Sequence, residues 1–196
     1  CSMNAIWAVK SLGIDPQNGK EIFLKQDGTV TYDYDVKDQV VCGDLLPKIN
    51  GNIGFNGEIK GIGFSVSANY RLGGQIYNET LVNKIENVAL QYNVDRRVFT
   101  DRWKQAGDVA LYKAISDQSK TLPTSRFVED YNTFTLASLS LSYDFRDWDF
   151  VKKSFLERLK VSAYTNDLFI ISSVKTERGT TYPFARTFSF SVQATF

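Results

Sequence analysis

The residues that could carry out chemistry are few in this chain. None of the 196 residues is a histidine, so a Ser-His-Asp or Cys-His system cannot be assembled and the commonest general base is missing. Cys42 lies in the apolar stretch V-V-C-G-D without a neighbouring base, which predicts an inert, buried thiol. No G-x-x-x-x-G-K-[ST] loop for phosphates occurs. The sequence therefore predicts a protein that is not an enzyme and uses no cofactor.

Three carboxylates lie close enough in the sequence to suggest a calcium site. They are Asp33, Asp35 and Asp38, and hard cations prefer oxygen ligands of this kind. Their spacing does not match a complete EF-hand loop. A solvated acidic loop explains the same residues more simply, so we predict no metal site.

Charged and aromatic side chains gather in two stretches that could bind a ligand or a partner protein. One stretch surrounds Trp103 and the other contains Arg126. Their further charged members are Asp95, Arg96, Arg97, Asp101, Arg102, Glu129 and Asp130. The alternative, which we favour for the charges, is that ion pairs brace the loops. Tyr77, Tyr92 and Trp103 could stack on sugar rings, but packing within the loops explains them equally well.

The elements that position these residues are indicated most clearly by the last twelve residues, 185–196. Apolar and polar side chains alternate there, which predicts a β-strand with one apolar and one polar face. Twelve extended residues span roughly 40 Å, or roughly 28 Å at a tilt of about 45°. That length matches the hydrocarbon layer of a bilayer, and a terminal aromatic residue is typical of outer-membrane barrels.

Other segments show the same alternation. Residues 51–72 predict a hairpin whose two-residue turn is Lys60-Gly61, with Ile59 and Ile62 as a cross-strand pair. The pair lies on one face, so the two arms agree in register. The remaining predicted spans are 135–145, 156–166 and the end of a strand at 5–9.

The connections between the predicted strands are alternately long and short. The long ones are 13–50, 73–133 and 167–184, and the short ones are the Lys60-Gly61 turn and 146–155. Outer-membrane barrels have short periplasmic turns and long extracellular loops, so the alternation favours a barrel. Inside the long loops we predict a small hairpin at 21–34 and short helices at 80–92 and 94–104.

The alternation also sorts side chains between the two faces of the strands. We predict that the apolar positions face lipid and that the charged positions of the polar face line a lumen. The predicted lipid-facing residues are Phe64, Val66, Leu139, Leu141, Phe188, Phe190, Val192 and Phe196. The predicted lumen-facing residues are Glu58, Arg71, Asp144 and Lys160.

Soluble β-sandwiches also alternate in this way, but a barrel fits better. The predicted strands are about twice the usual length of about 5–6 residues, and their polar faces carry mainly small residues. No run of about 18 apolar residues occurs, which excludes a transmembrane helix. The net charge of +1 predicts no nucleic-acid partner. Six strands would leave open edges in lipid, so we expect a larger barrel.

Several motifs together resemble the C-terminal end of the SusC/RagA family of TonB-dependent outer-membrane transporters. The matching stretches are A-I-W-A-V-K-S-L-G-I-D-P-Q-N-G-K-E-I-F at 5–23, D-Q-V-V-C-G-D-L-L-P-K at 38–48, Y-R-L-G-G-Q-I-Y-N at 70–78, Y-N-V-D-R-R-V-F-T-D-R-W at 92–103, T-S-R-F-V-E-D at 124–130, N-D-L-F at 166–169 and E-R-G-T-T-Y-P-F-A-R-T-F at 177–188. The resemblance covers essentially the whole chain. No single motif would be specific alone.

The resemblance implies an all-β fold of antiparallel transmembrane β-barrel strands, with long extracellular loops that carry short helices. Residues 1–196 would supply about the last six strands of a 22-stranded barrel, without its plug domain and N-terminal strands. Members of the family import oligosaccharides or peptides across the outer membrane. Energy comes from TonB through the plug, and a SusD-like surface lipoprotein forms a lid. Substrate or lid contacts are then expected at Tyr77, Tyr92, Arg97, Trp103 and Arg126.

A second interpretation is a soluble or lipid-anchored β-domain that binds glycans through its aromatic-rich loops. Cys1 would then be a lipidated N-terminus, whereas under the first interpretation a fragment simply begins there. Detergent dependence separates the two interpretations, because only a barrel wall exposes a continuous apolar belt.

Overall fold

The structure is a computed structural model that describes residues 3–91, 94–175 and 186–196. The strands form two antiparallel sheets, one of four strands in the order β3-β2-β1-β4 and one of five in the order β5-β6-β7-β8-β9. The strands are β1 Ala5–Ile14, β2 Glu21–Leu24, β3 Val30–Thr31, β4 Gln39–Asp44, β5 Ile49–Ile59, β6 Ile62–Tyr77, β7 Val128–Asp144, β8 Arg158–Ser172 and β9 Phe188–Thr195.

In the described residues, helical structure is confined to short turns. The α-helices are α1 Glu79–Leu81, α2 Arg97–Thr100 and α3 Asp149–Lys152; a π turn covers Val82–Glu86, and 3₁₀ turns cover Val36–Asp38 and Ser125–Phe127. Within the described ranges, no helix is long and apolar enough to cross a membrane.

The chain divides into two compact units. The first consists of Cys1–Pro47 and Gly73–Tyr131, and the second of Lys48–Leu72 and Asn132–Phe196. We call the first the loop unit, because it contains the four-stranded sheet, α1 and α2. We call the second the strand unit, because it contains most of the five-stranded sheet.

The hairpin of the strand unit depends on a two-residue turn. Lys60 and Gly61 have φ angles of +50° and +82°, the left-handed backbone that such a turn requires. β5 and β6 pair without interruption from Ile49 opposite Leu72 to Ile59 opposite Ile62. The predicted hairpin and its cross-strand isoleucine pair are therefore confirmed.

The core of the loop unit is a cluster of side chains from its helical turns and connecting segments. The buried members are Val82, Ile85, Val98, Tyr112 and Phe127, and the partly buried ones are Tyr77, Leu81, Val88 and Val94. Leu81, Ile85 and Val88, which have helical spacing within the predicted helix 80–92, all belong to this core. Apolar burial therefore organises a stretch that has little regular structure.

The predicted helices of the loop unit are too long. The first ends at Glu86, because the side-chain amide of Asn87 is bonded to the backbone of Thr121. It donates to the Thr121 carbonyl at 3.1 Å and accepts from the Thr121 N–H at 2.8 Å. The second, α2, has only four residues. The small predicted hairpin at 21–34 is present as β2 and β3, around a turn where Gly28 has φ +84°.

The predicted strand bounds also differ from the observed ones. β7 begins at Val128. β8 continues to Ser172, because a β-bulge after Asn166 lets pairing run past the predicted end at 166. β4, inside a predicted loop, lacks the alternation that would have indicated it. β1, predicted as the end of a sixth span, pairs with β2 and β4 in the four-stranded sheet.

Candidate functional site

The five-stranded sheet has two chemically different faces. Cross-strand pairing aligns Leu141 with Ala163 and Phe190 on one face, and the intervening serines on the other. We name these the Phe190 face and the Ser191 face. The predicted lipid-facing residues of β7 and β9 share the Phe190 face, where Phe190 is 77% exposed. This side of the sheet is therefore a broad apolar surface.

The hairpin continues the same division. Phe64 and Val66 pair with Gly57 and Phe55 of the neighbouring strand. A Cβ at Gly63 would lie 2.6 Å from the hydroxyl oxygen of Ser142, which is on the Ser191 face, so the neighbouring Phe64 has the opposite orientation. The predicted apolar positions of β6, β7 and β9 consequently lie on one side of the sheet.

Aromatic residues gather where the short connection joins β7 to β8. Trp148 donates its indole N–H to the hydroxyl of Tyr143 at 2.8 Å, and its ring packs edge-on against Phe145. The last residue, Phe196, stacks on Phe155 with ring centroids 5.4 Å apart. Aromatic rings at one level are typical of the membrane–water interface of a barrel.

The charged residues of the Ser191 face lie near the ends of the strands. Asp144 and Lys160 form a cross-strand pair, Glu58 pairs with Gly63, and Arg71 pairs with Asn50 at the other end of the hairpin. Arg158, two residues before Lys160, also bonds Asp144, with 2.6 Å between Nη2 and Oδ2. Arg158 was not predicted as a member of this face, although its alternation with Lys160 places both on one face.

The loop unit contains a buried network around Arg126. Its guanidinium bonds Glu21 at 2.9 Å and Glu86 at 2.6 Å, while the Glu86 side chain is fully buried. Burial lowers the pKa of Arg126, but the hydrogen bonds and charges of both glutamates outweigh it and raise the pKa. The nearby Glu129 and Asp130 bond Asn78 and Gln75 instead of Arg126. This network braces the loop unit.

A second buried arginine supports the end of the π turn. Arg102 donates to the carbonyls of Ile85 and Glu86, the latter at 2.6 Å, and to that of Lys113 at 3.3 Å. Carbonyls at a helical terminus carry partial negative charge, which suits a cation. Burial lowers the pKa of Arg102. Its role is therefore to satisfy backbone oxygens inside the unit.

The other residues predicted to contact substrate or a lid also have partners in the loop unit. Tyr77 packs edge-on against Phe127, and burial raises the pKa of Tyr77 to about 12. Arg97 forms a bidentate pair with Asp95, with oxygens 3.0 and 2.8 Å away. Further contacts anchor Trp103, whose indole N–H donates to the Pro16 carbonyl at 2.8 Å. Tyr92 lies outside the described residues.

The residues considered for metal and thiol chemistry have structural contacts. Asp35 accepts a hydrogen bond from the Lys37 amide at 2.9 Å, and Asp38 accepts one from that of Gln26 at 3.3 Å. Across the described part of the chain, no group of three or more such side chains could hold a metal ion. Cys42 donates to the Ala8 carbonyl at 3.5 Å, and burial raises the pKa of its thiol.

The loop unit contains clefts that were not predicted, and two of them offer many hydrogen-bonding groups. The larger of these two, about 570 Å³, is lined by apolar and charged residues together with amide, hydroxyl and amine side chains, including Asn83, Gln91, Gln118, Ser119 and Lys120. The smaller, about 350 Å³, adds aromatic rings, including Phe23, Tyr32 and Tyr34. Such groups can bind the hydroxyls of a sugar or the amides of a peptide. Their residues come from distant segments, so no sequence motif indicates either cleft.

Comparison with known proteins points to one class of membrane receptor. Over 80% of its length, the chain is 24% identical to a TonB-dependent receptor of Formosa agariphila, of which it covers 15%. It matches the structure of the RagAB peptide transporter with a TM-score of 0.71 and 17% identity, over 87% of this chain and 20% of that one. The chain resembles part of a SusC/RagA transporter. The resemblance predicted from the motifs is therefore confirmed.

Two further RagAB structures extend the comparison. The RagAB peptide importer in its "open-open" state matches with a TM-score of 0.71, and that in its "closed-closed" state with 0.65, both at 16% identity. Each alignment covers 86% of this chain and 19% of the other. No family model matches the sequence. The chain thus spans about a fifth or less of these proteins, which are receptors and transporters, not enzymes.

Proposed function

We propose that this chain is the C-terminal part of the barrel of a TonB-energised nutrient importer in the bacterial outer membrane. The observation that carries the proposal is the five-stranded sheet, which has one apolar face and one face of mainly small polar residues between its short turns and the β-bulge of β8. A sheet that is lipid-covered on one side and wet on the other has this division. The similarity to a TonB-dependent receptor and to RagAB supports the same function.

In this proposal the Phe190 face meets lipid and the Ser191 face lines the lumen. The charged residues of the Ser191 face, Glu58, Arg71, Asp144 and Lys160, then contact water or the plug. The remaining strands of a barrel of about 22 come from other parts of the polypeptide, because an open sheet edge in lipid leaves backbone groups unpaired. TonB acts through a plug domain that precedes the strands described here.

The loop unit then lies outside the membrane and helps form the substrate chamber. The two clefts described above offer hydrogen-bonding groups and aromatic rings, which fit oligosaccharides or peptides. A SusD-like surface lipoprotein is the expected lid, as the resemblance to the SusC/RagA family implies. Trp103 and Arg126 support this unit from within, so their substitution would alter binding through loop stability. Arg97, in its partly exposed pair with Asp95, contributes less to that stability.

Fractionation of the source cells tests the proposal. An antibody against residues 124–130 would be used to blot outer-membrane, soluble and lipid-anchored fractions. We expect a band far above 22.2 kDa in the outer membrane, released by detergent but not by salt. A band near 22.2 kDa in the soluble fraction would overturn the proposal and support an independent β-domain.

A further inference from the structure

A β-bulge interrupts the pairing of β7 with β8. Ser138 lies opposite Asn166, but the next pair toward the start of β7 is Leu136 with Phe169. Two residues of β8 therefore face one of β7. The first of them, Asp167, has φ +48°, a left-handed conformation that aspartate tolerates better than most residues. Because side chains alternate along a strand, the additional residue exchanges the two faces of β8 beyond it.

The chemistry of the sheet is reversed on the long-loop side of the bulge. In β8 the exchange moves the apolar residues to the Ser191 face, whereas β7 has no additional residue and changes through its sequence. The apolar residues there lie on the Ser191 face; they are Phe134, Leu136, Phe169 and Ile171. The rings of the two phenylalanines are 6.5 Å apart, as expected for neighbours on one face. The Phe190 face carries Thr133, Thr135, Ile170 and Ser172 instead. Three of these four are polar, and Ile170 is close to the bulge.

The height of the apolar face on the short-turn side supports a membrane boundary at this level. Residues 158–166 of β8 extend over about 30 Å, or about 23 Å along the membrane normal at a tilt of about 40°. β9 begins at the same level, since Phe188 pairs with Thr165. The lipid-facing band of an outer-membrane barrel is about 25 Å tall. One bilayer therefore covers the apolar stretch up to the bulge and no further.

We propose that the bulge at Asp167 marks the level at which this wall leaves the hydrocarbon layer. Lipid covers the Phe190 face on the short-turn side, and water contacts the same face on the long-loop side. The inference rests on the proposed function, because it requires that the sheet spans a membrane. It adds the position of the outer boundary and a reason for the bulge, which is to change the exposed chemistry where the solvent changes.

Spin labels on single cysteines test the boundary. The complete polypeptide as its host expresses it, with Cys1 and Cys42 replaced by serine, is reconstituted in phosphatidylcholine vesicles. Labels replace Leu141 in the middle of the apolar stretch and Thr133 beyond the bulge. Collision rates with oxygen, which concentrates in hydrocarbon, and with a polar nickel complex are then compared. We expect the oxygen-to-nickel ratio to fall by about tenfold from Leu141→Cys to Thr133→Cys, because hydrocarbon excludes polar solutes.

A closer pair of labels locates the boundary more finely. Leu139→Cys lies just inside the proposed layer and Thr135→Cys just outside, and Ser140→Cys on the other face is the water-exposed control. Similar oxygen-rich values at Leu139→Cys and Thr135→Cys would overturn the boundary while leaving the membrane span intact. A nickel-rich value at Leu141→Cys would instead overturn the proposed function itself. The two failures are therefore distinguishable.

Discussion

Replacement of Arg126 by methionine should destabilise the loop unit strongly. The arginine side chain is only 12% exposed, and its partners Glu21 and Glu86 are 6% and 0% exposed. Removal of the arginine leaves two buried carboxylates without their counter-charge, and it removes the bond from Nη1 to the Leu111 carbonyl at 2.6 Å. Breaking a buried pair in this way costs about 3–5 kcal/mol. Methionine retains most of the apolar volume of the arginine side chain, so the loss of stability measures mainly the removal of its charge.

Hydrogen exchange of the complete membrane protein can measure this loss without unfolding the barrel. Amides of the π turn, Val82–Glu86, lie in the core of the loop unit and exchange when it opens. A loss of about 3–5 kcal/mol accelerates their exchange by a factor of about 10² to 10³ or more. The matched control is Arg97→Met. Its ion pair with Asp95 is 28% and 31% exposed, so we expect a loss of only about 0.2–1 kcal/mol.

A compensating variant separates charge from packing. Arg126→Met combined with Glu21→Gln and Glu86→Gln removes both uncompensated charges, so protection of the π turn should return in part. If Arg126→Met accelerates exchange no more than Arg97→Met does, the guanidinium does not brace this unit. If the triple variant exchanges as fast as Arg126→Met, the loss comes from packing and the charge argument fails.

Three further predictions concern the wall, a buried phenol and a turn. Phe190→Arg should cost about 2–4 kcal/mol near the bilayer midplane, and Ser191→Arg much less; equal losses in a folding titration would contradict the assigned faces. Burial raises the pKa of the Tyr77 phenol from 10.0 to about 12, so the folded state favours the protonated phenol. Its contribution to the free energy of unfolding is complete below pH 10.0 and is lost as the pH rises through 12. Tyr77→Phe should remove the ionisation step near pH 12 from a titration that follows tyrosinate absorbance. An unchanged curve would contradict the assignment of that step to Tyr77. Gly19→Ala, at φ +71° with a new Cβ 2.5 Å from a tryptophan ring, should cost more than about 1 kcal/mol in thermal unfolding. Gly28→Ala has φ +84° but no atom within 4 Å, so it should cost less, and the reverse order would exclude the steric explanation.

The strand unit was largely predictable because its signal is local. Whether a side chain lies on the Phe190 or the Ser191 face depends on the parity of its position, and a glycine in a two-residue turn fixes the register of the hairpin. In the described pairing of β7 with β8, this parity is interrupted at the bulge. The run Phe169, Ile170 and Ile171 is apolar on both faces, so the alternation gives no indication that β8 continues.

The loop unit was predictable only in part, because its contacts join distant segments. Arg126 reaches Glu21 across 105 positions and Glu86 across 40, whereas Glu129 and Asp130 are much closer in sequence but bond elsewhere. Local spacing identifies a cluster of charges and does not identify the partners. The same applies to the clefts, whose lining residues share no motif and are brought together by the core.

The distribution of charge in the wall bears on what it could conduct. On the Ser191 face, the charged positions lie toward the strand ends, with Arg71 at one end of the hairpin and Glu58 near the other. Between them the side chains are hydroxyls, amides or hydrogen, and Asn52 bonds Ser67 and Asn69 across the strands. Such groups form hydrogen bonds with one another and can replace them with hydrogen bonds to a polar solute. A charged side chain in the same place would bind an oppositely charged solute more tightly. In the proposed barrel, this wall therefore favours the passage of uncharged polar molecules and restricts strong electrostatic contacts to its rims.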